Sequence, residues 1–245
     1  MDLSLDLSRA TSDRRLVIGL AAASLVLTVL YWKFNIERHP EPRTPAIDEI
    51  VRLVDLNGEG NLAAWFAGML WGVASLTALS LSRIVSGHSG LLSKRFYWGA
   101  LSVLFMFLSI DEVAQFHEGA GRLAGPLFVG YPVYASAVIA LLFALTVAMF
   151  TMRFILSLPR GIALSIFLAA AVFLTGAVGF ESLGALVEYR GEHLMPPGFD
   201  WTLLILAEEL LEMLGVILLI ATLRYYRRAV EKEYVQTLHG PPLWG

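Results

Sequence analysis

The chain reads as an all-α membrane protein: one polytopic bundle over residues 1–245, with six transmembrane helices and both termini cytoplasmic. Three observations predict it. Of the 245 residues, 57% are apolar and only 16% charged, with a mean hydropathy of +0.66, which is far from a soluble domain. Six apolar runs, each long enough to cross a bilayer, alternate with loops that hold most of the Pro and charge. Finally, twelve of the eighteen Lys and Arg residues fall on one side of the six-span arrangement, and the side richer in basic residues faces the cytoplasm.

The first run, about residues 16–32, follows Arg14-Arg15. Bulky Tyr31-Trp32-Lys33-Phe34 occupies the place of a small-residue cleavage site, so the segment reads as an uncleaved anchor. Pro40, Pro42 and Pro45 break the next loop. Residues 46–56 then predict a short interfacial helix with Ile47, Ile50, Val51 and Val54 on one face. The second span, 62–84, is preceded by Glu59 and by Asn61, a natural N-cap. It contains Gly68 and Gly72, a spacing that permits close helix approach. The third span covers about 96–116, and a turn-rich connection is expected over 119–130. The fourth, 131–152, is without charge and reads as scaffold. The fifth, 161–187, carries Gly176, Gly179 and Glu181 and leads to Glu188. The sixth, 200–223, carries Glu208, Glu209 and Glu212 and ends in Arg224, Arg227 and Arg228. Trp65, Trp98 and Trp201 sit at span ends and read as interface anchors.

The chemistry concentrates in residues 108–118, Leu-Ser-Ile-Asp-Glu-Val-Ala-Gln-Phe-His-Glu. On one continuous helix Asp111 and Glu118 share a stripe, about 20° apart, with Glu112 and His117 flanking it. The alternating direction of the spans brings Asp111, Glu181, Glu208 and Glu212 to the same, outer half of the membrane. Such acids are costly in lipid. Thirteen Leu, Ile and Val residues favour insertion of the sixth span by roughly 4–8 kcal/mol, and three central acids would oppose it by about 7–10 kcal/mol. Ionisable residues within a span are therefore functional candidates.

No Lys or Arg lies in the apolar part of any span, so these carboxylates must be protonated, hydrated or coordinated to a cation. Several carboxylates and one imidazole, without a cysteine in the chain, favour a divalent metal such as Fe, Mn or Zn, with Mg and Ca as further hard candidates. Asp111, His117, Glu208 and Glu212 are the expected direct ligands, with Glu118 and Glu181 next. Glu112 and Glu209 are candidates for a non-ligating proton shuttle.

The stretches Asn57-Gly-Glu-Gly-Asn-Leu-Ala-Ala-Trp-Phe66 and 108–118 resemble a group of uncharacterised bacterial multipass membrane proteins. These similarly pair an acid-x-Asn…Trp-Phe start with a Ser-x-Asp-Glu…His-Glu helix end. The resemblance implies a bacterial inner (cytoplasmic) membrane protein and brings no activity with it. A fainter likeness to the membrane hydrolases that include alkaline ceramidases stops at their late His-x-x-x-His pair, which this chain lacks.

Other classes drop out. Without cysteine there is no disulfide, thiolate site or iron–sulfur cluster. A span lysine for retinal and a second span histidine for bis-histidine haem are also missing. No basic, aromatic-interleaved patch points to nucleic acid. Three functions remain open: a metal-dependent enzyme acting on a lipid-like substrate, a proton- or cation-coupled transporter, and an accessory subunit with protein partners in the membrane.

Overall fold

Apolar runs shape this bundle, and side-chain caps mark the starts of three of its helices. The structure, a computed structural model, describes residues 3–36, 44–58, 60–85, 93–127, 135–190 and 202–239. Helix α1 (Leu3–Tyr31) continues through a π-helical turn, Trp32–Ile36. Thr44 caps α2 (Pro45–Leu53), accepting from the Ile47 N–H, with Pro45 in the first turn where no donor is needed. Asn61 caps α3 (Leu62–Ile84), and Ser93 caps α4 (Lys94–Ala114). Helix α5 (Phe116–Ala124) leads into a 3₁₀ turn, Gly125–Leu127. After α6 (Ala135–Leu156) comes α7 (Arg160–Leu174), a π-helical turn at Thr175–Phe180, and α8 (Glu181–Arg190). The last helix, α9, runs from Thr202 to His239.

Among the described residues, five stretches are long and apolar enough to cross a bilayer: Thr11–Ile36, Leu62–Ile84, Lys94–Ala114, Ala137–Leu156 and Arg160–Val187. The all-α class stands, and this is a helical membrane protein. Helix α9 contains the sixth expected run, but Glu208, Glu209 and Glu212 interrupt its apolar part. Its 38 residues reach about 57 Å, well beyond a 30 Å hydrocarbon core.

Helices α3 and α9 form the centre. Helix α3 packs along α4 on one side and α9 on the other, while α9 also carries α1, α7 and the π-helical turn. The fully buried Leu70, Ala74, Ala78 and Leu81 of α3 meet Trp98, Ile220 and Leu223 in one core. Trp71 packs at 5.6 Å from Phe105 and 5.2 Å from Phe173, tying α3 to α4 and α7. Helix α6 lies at the periphery. Leu142, Leu145 and Met149 on it are exposed, as suits a lipid-facing span.

Glycines set the tightest approaches. A Cβ at Gly68 would stand 2.9 Å from the Ser109 carbonyl oxygen, and the Ser109 hydroxyl donates to the Gly68 carbonyl at 2.7 Å. Gly72 faces the same serine. The Gly68-x-x-x-Gly72 spacing is therefore the seam between α3 and α4. Across the bundle, a Cβ at Gly215 of α9 would meet the Phe173 backbone at 2.6 Å, and one at Gly176 would meet the Glu208 carbonyl at 2.6 Å.

Several expectations are corrected. The third span does not run unbroken through His117, because Gln115 adopts a left-handed conformation (φ 59°) and ends α4 at Ala114. The stretch after it is helical over Phe116–Ala124 rather than a turn-rich connection. Trp98 is no interface anchor. It is fully buried, 5.1 Å from Phe154 and 5.7 Å from Tyr226, because it lies one turn inside α4 and faces α9. Trp65 is exposed at the start of α3, whereas Trp201 lies outside the described residues. The fourth span is shifted towards the C-terminus, α6 ending at Leu156, and the first helix begins well before residue 16.

One structural feature escaped sequence reasoning. Asp13 of α1 is buried, accepts a hydrogen bond from the Arg224 Nε of α9 at 2.6 Å and forms an ion pair with Arg228, whose Nε lies 3.2 Å away. This ion cluster joins the first helix to the last at the basic end of the bundle. The sequence places Arg224 and Arg228 at this end as ordinary flanking charge, and the fold adds a buried acid between them.

Candidate carboxylate site

Asn61 shows how the mouth of the acidic end is built. Its Oδ1 accepts from the Ala64 N–H at 3.0 Å, and its Nδ2 donates to the carbonyls of Asp55 (2.8 Å) and Arg52 (3.2 Å). One side chain therefore caps α3 and pins the end of α2 above it. Asp55 in this turn is pushed up from the ordinary carboxylate range by burial, partly offset by the Asn57 N–H that donates to it. Glu59 lies outside the described residues.

Below this mouth, a small cavity is lined by Ala67, Leu70 and Trp71 of α3, Glu112 of α4, Phe173 of α7, and Glu209, Glu212, Met213 and Val216 of α9. Helices α3 and α9 make its floor. Helices α4 and α7 flank it without packing closely on each other. Its free volume of about 10 Å³ is room for roughly one water or one small ion. Three carboxylates from two helices share a space that an apolar cavity would leave dry.

The surrounding acids come within electrostatic reach of the same point. Glu212 is influenced by Glu209, Glu112, Glu208 and Glu181, and Glu208 in turn by Glu181. The glycines explain the convergence. Gly176 lets the fifth span touch the α9 backbone between Glu208 and Glu212, where a Cβ would also meet the Glu212 Cγ at 2.8 Å. Gly68 lets α3 approach Ser109, and a Cβ there would also stand 3.5 Å from the Glu112 Cβ. The π-helical turn at Thr175–Phe180 widens the fifth span beside this contact and hands the chain on to Glu181.

Asp111 and His117 form a separate unit. The break at Gln115 redirects the chain into α5, where the His117 N–H donates to Asp111 Oδ1 at 3.0 Å, and His117 Nδ1 lies 2.9 Å from Oδ2. Asp111 thereby holds the first turn of α5, and the His117 side chain stays half exposed. The flanking position that a straight helix assigns to His117 does not apply, since the left-handed residue resets the angular count. The side chains of Glu118 and Glu188 lie outside the described residues.

Of the residues singled out from sequence, the structure brings Glu112, Glu209 and Glu212 into one cavity, with Glu181 and Glu208 beside Glu212. It keeps Asp111 with His117. Trp71 and Phe173 line the cavity and were not anticipated as site residues. Among the described residues, no three His, Asp or Glu side chains already stand as a ligand group for a metal ion.

Neither a curated protein nor a solved structure matches the chain. Residues 16–226, from the first apolar run to the end of the sixth, match a family described as Domain of unknown function (DUF8692), and the chain belongs to that family.

Proposed function

We propose that this membrane protein binds one small cation at the acidic end of its bundle, between Glu112, Glu209 and Glu212, with Glu181 and Glu208 adding negative potential. The observation that carries the reading is the one-water cavity lined by three glutamates from α4 and α9. Several carboxylates crowded together in an apolar interior are expensive, and a cation or shared protons relieve them. A divalent ion with oxygen preference fits the donor type. Glutamate side chains are long enough to draw in around an ion after small rotamer changes, so a preassembled ligand group is not required. In this reading the roles expected from sequence are exchanged: Glu112 and Glu209 hold the ion, while Asp111 and His117 shape the helix end. The small cavity favours ion binding over lipid chemistry at this point. By the distribution of basic residues, the site opens towards the periplasm of a bacterial inner membrane.

A second reading is favoured by the lack of a ready ligand group among the described residues. Here the carboxylates share protons and serve a proton- or cation-coupled transporter. Elemental analysis of detergent-purified protein, beside the Glu209→Gln/Glu212→Gln double variant, separates the two. Near-stoichiometric Mn, Fe or Zn that is lost in the variant supports the metal reading. Metal-free protein with proton flux in liposomes that depends on Glu212 supports the relay. Metal-free protein without such flux overturns both.

A further inference from the structure

At the opposite end of the bundle, α9 continues past its apolar part as Arg224-Tyr-Tyr-Arg-Arg228. Residues 224, 227 and 228 share one face, within about 100° of arc. Two of these guanidiniums are engaged within the fold, since Arg224 and Arg228 both reach Asp13, which is buried on α1. Two positive charges against one carboxylate leave the cluster net positive. Arg227 lies one turn past Arg224 at the edge of this face, its side chain only partly buried and its Nε without a hydrogen-bond partner. A buried, charged N–H without a partner is costly, and an acceptor that draws the partly exposed guanidinium outward relieves it. The nearest acid along this face of α9 is Glu231, one turn on, and α1 adds exposed Arg14 and Arg15 beside Asp13.

We infer that Arg227, held in register by the Asp13 cluster, binds a phosphate-bearing anion together with Arg224 and Arg228. Planar guanidiniums match phosphate oxygens with paired N–H donors. Leu223, fully buried, closes the apolar part of α9 immediately before the cluster. This puts Arg227 at head-group depth if α9 crosses the membrane, where anionic phospholipids supply the phosphate. The inference stands apart from the cation reading at the acidic end.

The test is lipid retention of the whole chain, measured by native mass spectrometry after reconstitution with phosphatidylglycerol or phosphatidylcholine. The expected result is one retained phosphatidylglycerol per chain and none of the zwitterionic lipid. Arg227→Gln should lower retention about fivefold, the factor one basic side chain contributes at an anionic surface. Arg227→Lys, which keeps the charge but not the fork, should fall between. Melting of each variant in neutral detergent without added lipid checks that the fold is kept. A second arm titrates inorganic phosphate: protection that depends on Arg227 and is unchanged by phosphatidylglycerol assigns the same site to soluble phosphate. Equal loss of lipid from Arg160→Gln, elsewhere on the basic end, would mean a diffuse belt and overturn the site. Unchanged retention in Arg227→Gln overturns it as well.

Discussion

Replacing Gly176 by Ala tests the packing on which the carboxylate site depends. The new Cβ would lie 2.6 Å from the Glu208 carbonyl oxygen, 2.8 Å from the Glu212 Cγ and 3.2 Å from the Glu212 nitrogen. Ordinary carbon–oxygen approach is about 3.3 Å, so the helices must separate by about 0.7 Å. Two of the three obstacles are backbone atoms and cannot rotate away. Overpacking of this kind costs about 1–3 kcal/mol. For a chain of this size that lowers Tm by about 2–12 °C, at roughly 2–4 °C per kcal/mol. Gly99→Ala is the control. Its Cβ meets nothing within 4 Å, and relief of glycine's helix penalty should stabilise by up to about 1 kcal/mol. Differential scanning fluorimetry in one detergent compares the two. If Gly176→Ala melts at or above wild type, as Gly99→Ala should, the fifth span does not touch α9 here. The explanation of how Glu208 and Glu212 are positioned would then fail.

Two further perturbations probe the ends of the bundle. Asp13→Ala leaves Arg224 and Arg228 without their buried partner and should cost about 3–5 kcal/mol; denaturant unfolding in detergent measures it, and a loss under about 1 kcal/mol, the scale of an exposed pair, would mean the cluster is hydrated. Asn61→Ala removes the α3 cap and both ties to α2, with an expected loss of about 1–2 kcal/mol. Hydrogen exchange should show it first at the Ala64 amide, and unchanged protection there would refute the cap.

The architecture was legible where periodicity and composition act alone. Five apolar runs became five candidate spans, the second with the same limits, 62–84, and Asn61 caps it as its side chain predicts. The Gly68/Gly72 spacing marked a real helix seam. What failed depended on a single backbone angle or on contacts remote in sequence. Gln115 is not a residue that announces a left-handed break, yet that break brings His117, which a continuous helix would leave flanking the stripe, onto Asp111. Asp13 and Arg224 are 211 residues apart, and a lone acid before an apolar run resembles ordinary loop charge. Trp98 carries the mark of an interface anchor in sequence, and only the neighbouring helices decide that it faces inward. The convergence of acids on one end was readable from span direction. Which of them share a cavity was not, because that follows from the glycine contacts that set helix separation.

The cation reading is tested most directly by equilibrium binding of Mn²⁺, whose paramagnetic signal distinguishes free from bound ion, to purified wild-type protein and to Glu112→Gln and Glu212→Gln. One saturable ion per chain is expected, with affinity reduced at least about tenfold in each variant, equivalent to about 1.4 kcal/mol per lost carboxylate charge. Binding that is absent in wild type, or equally strong in both variants, would contradict a cation held between these glutamates.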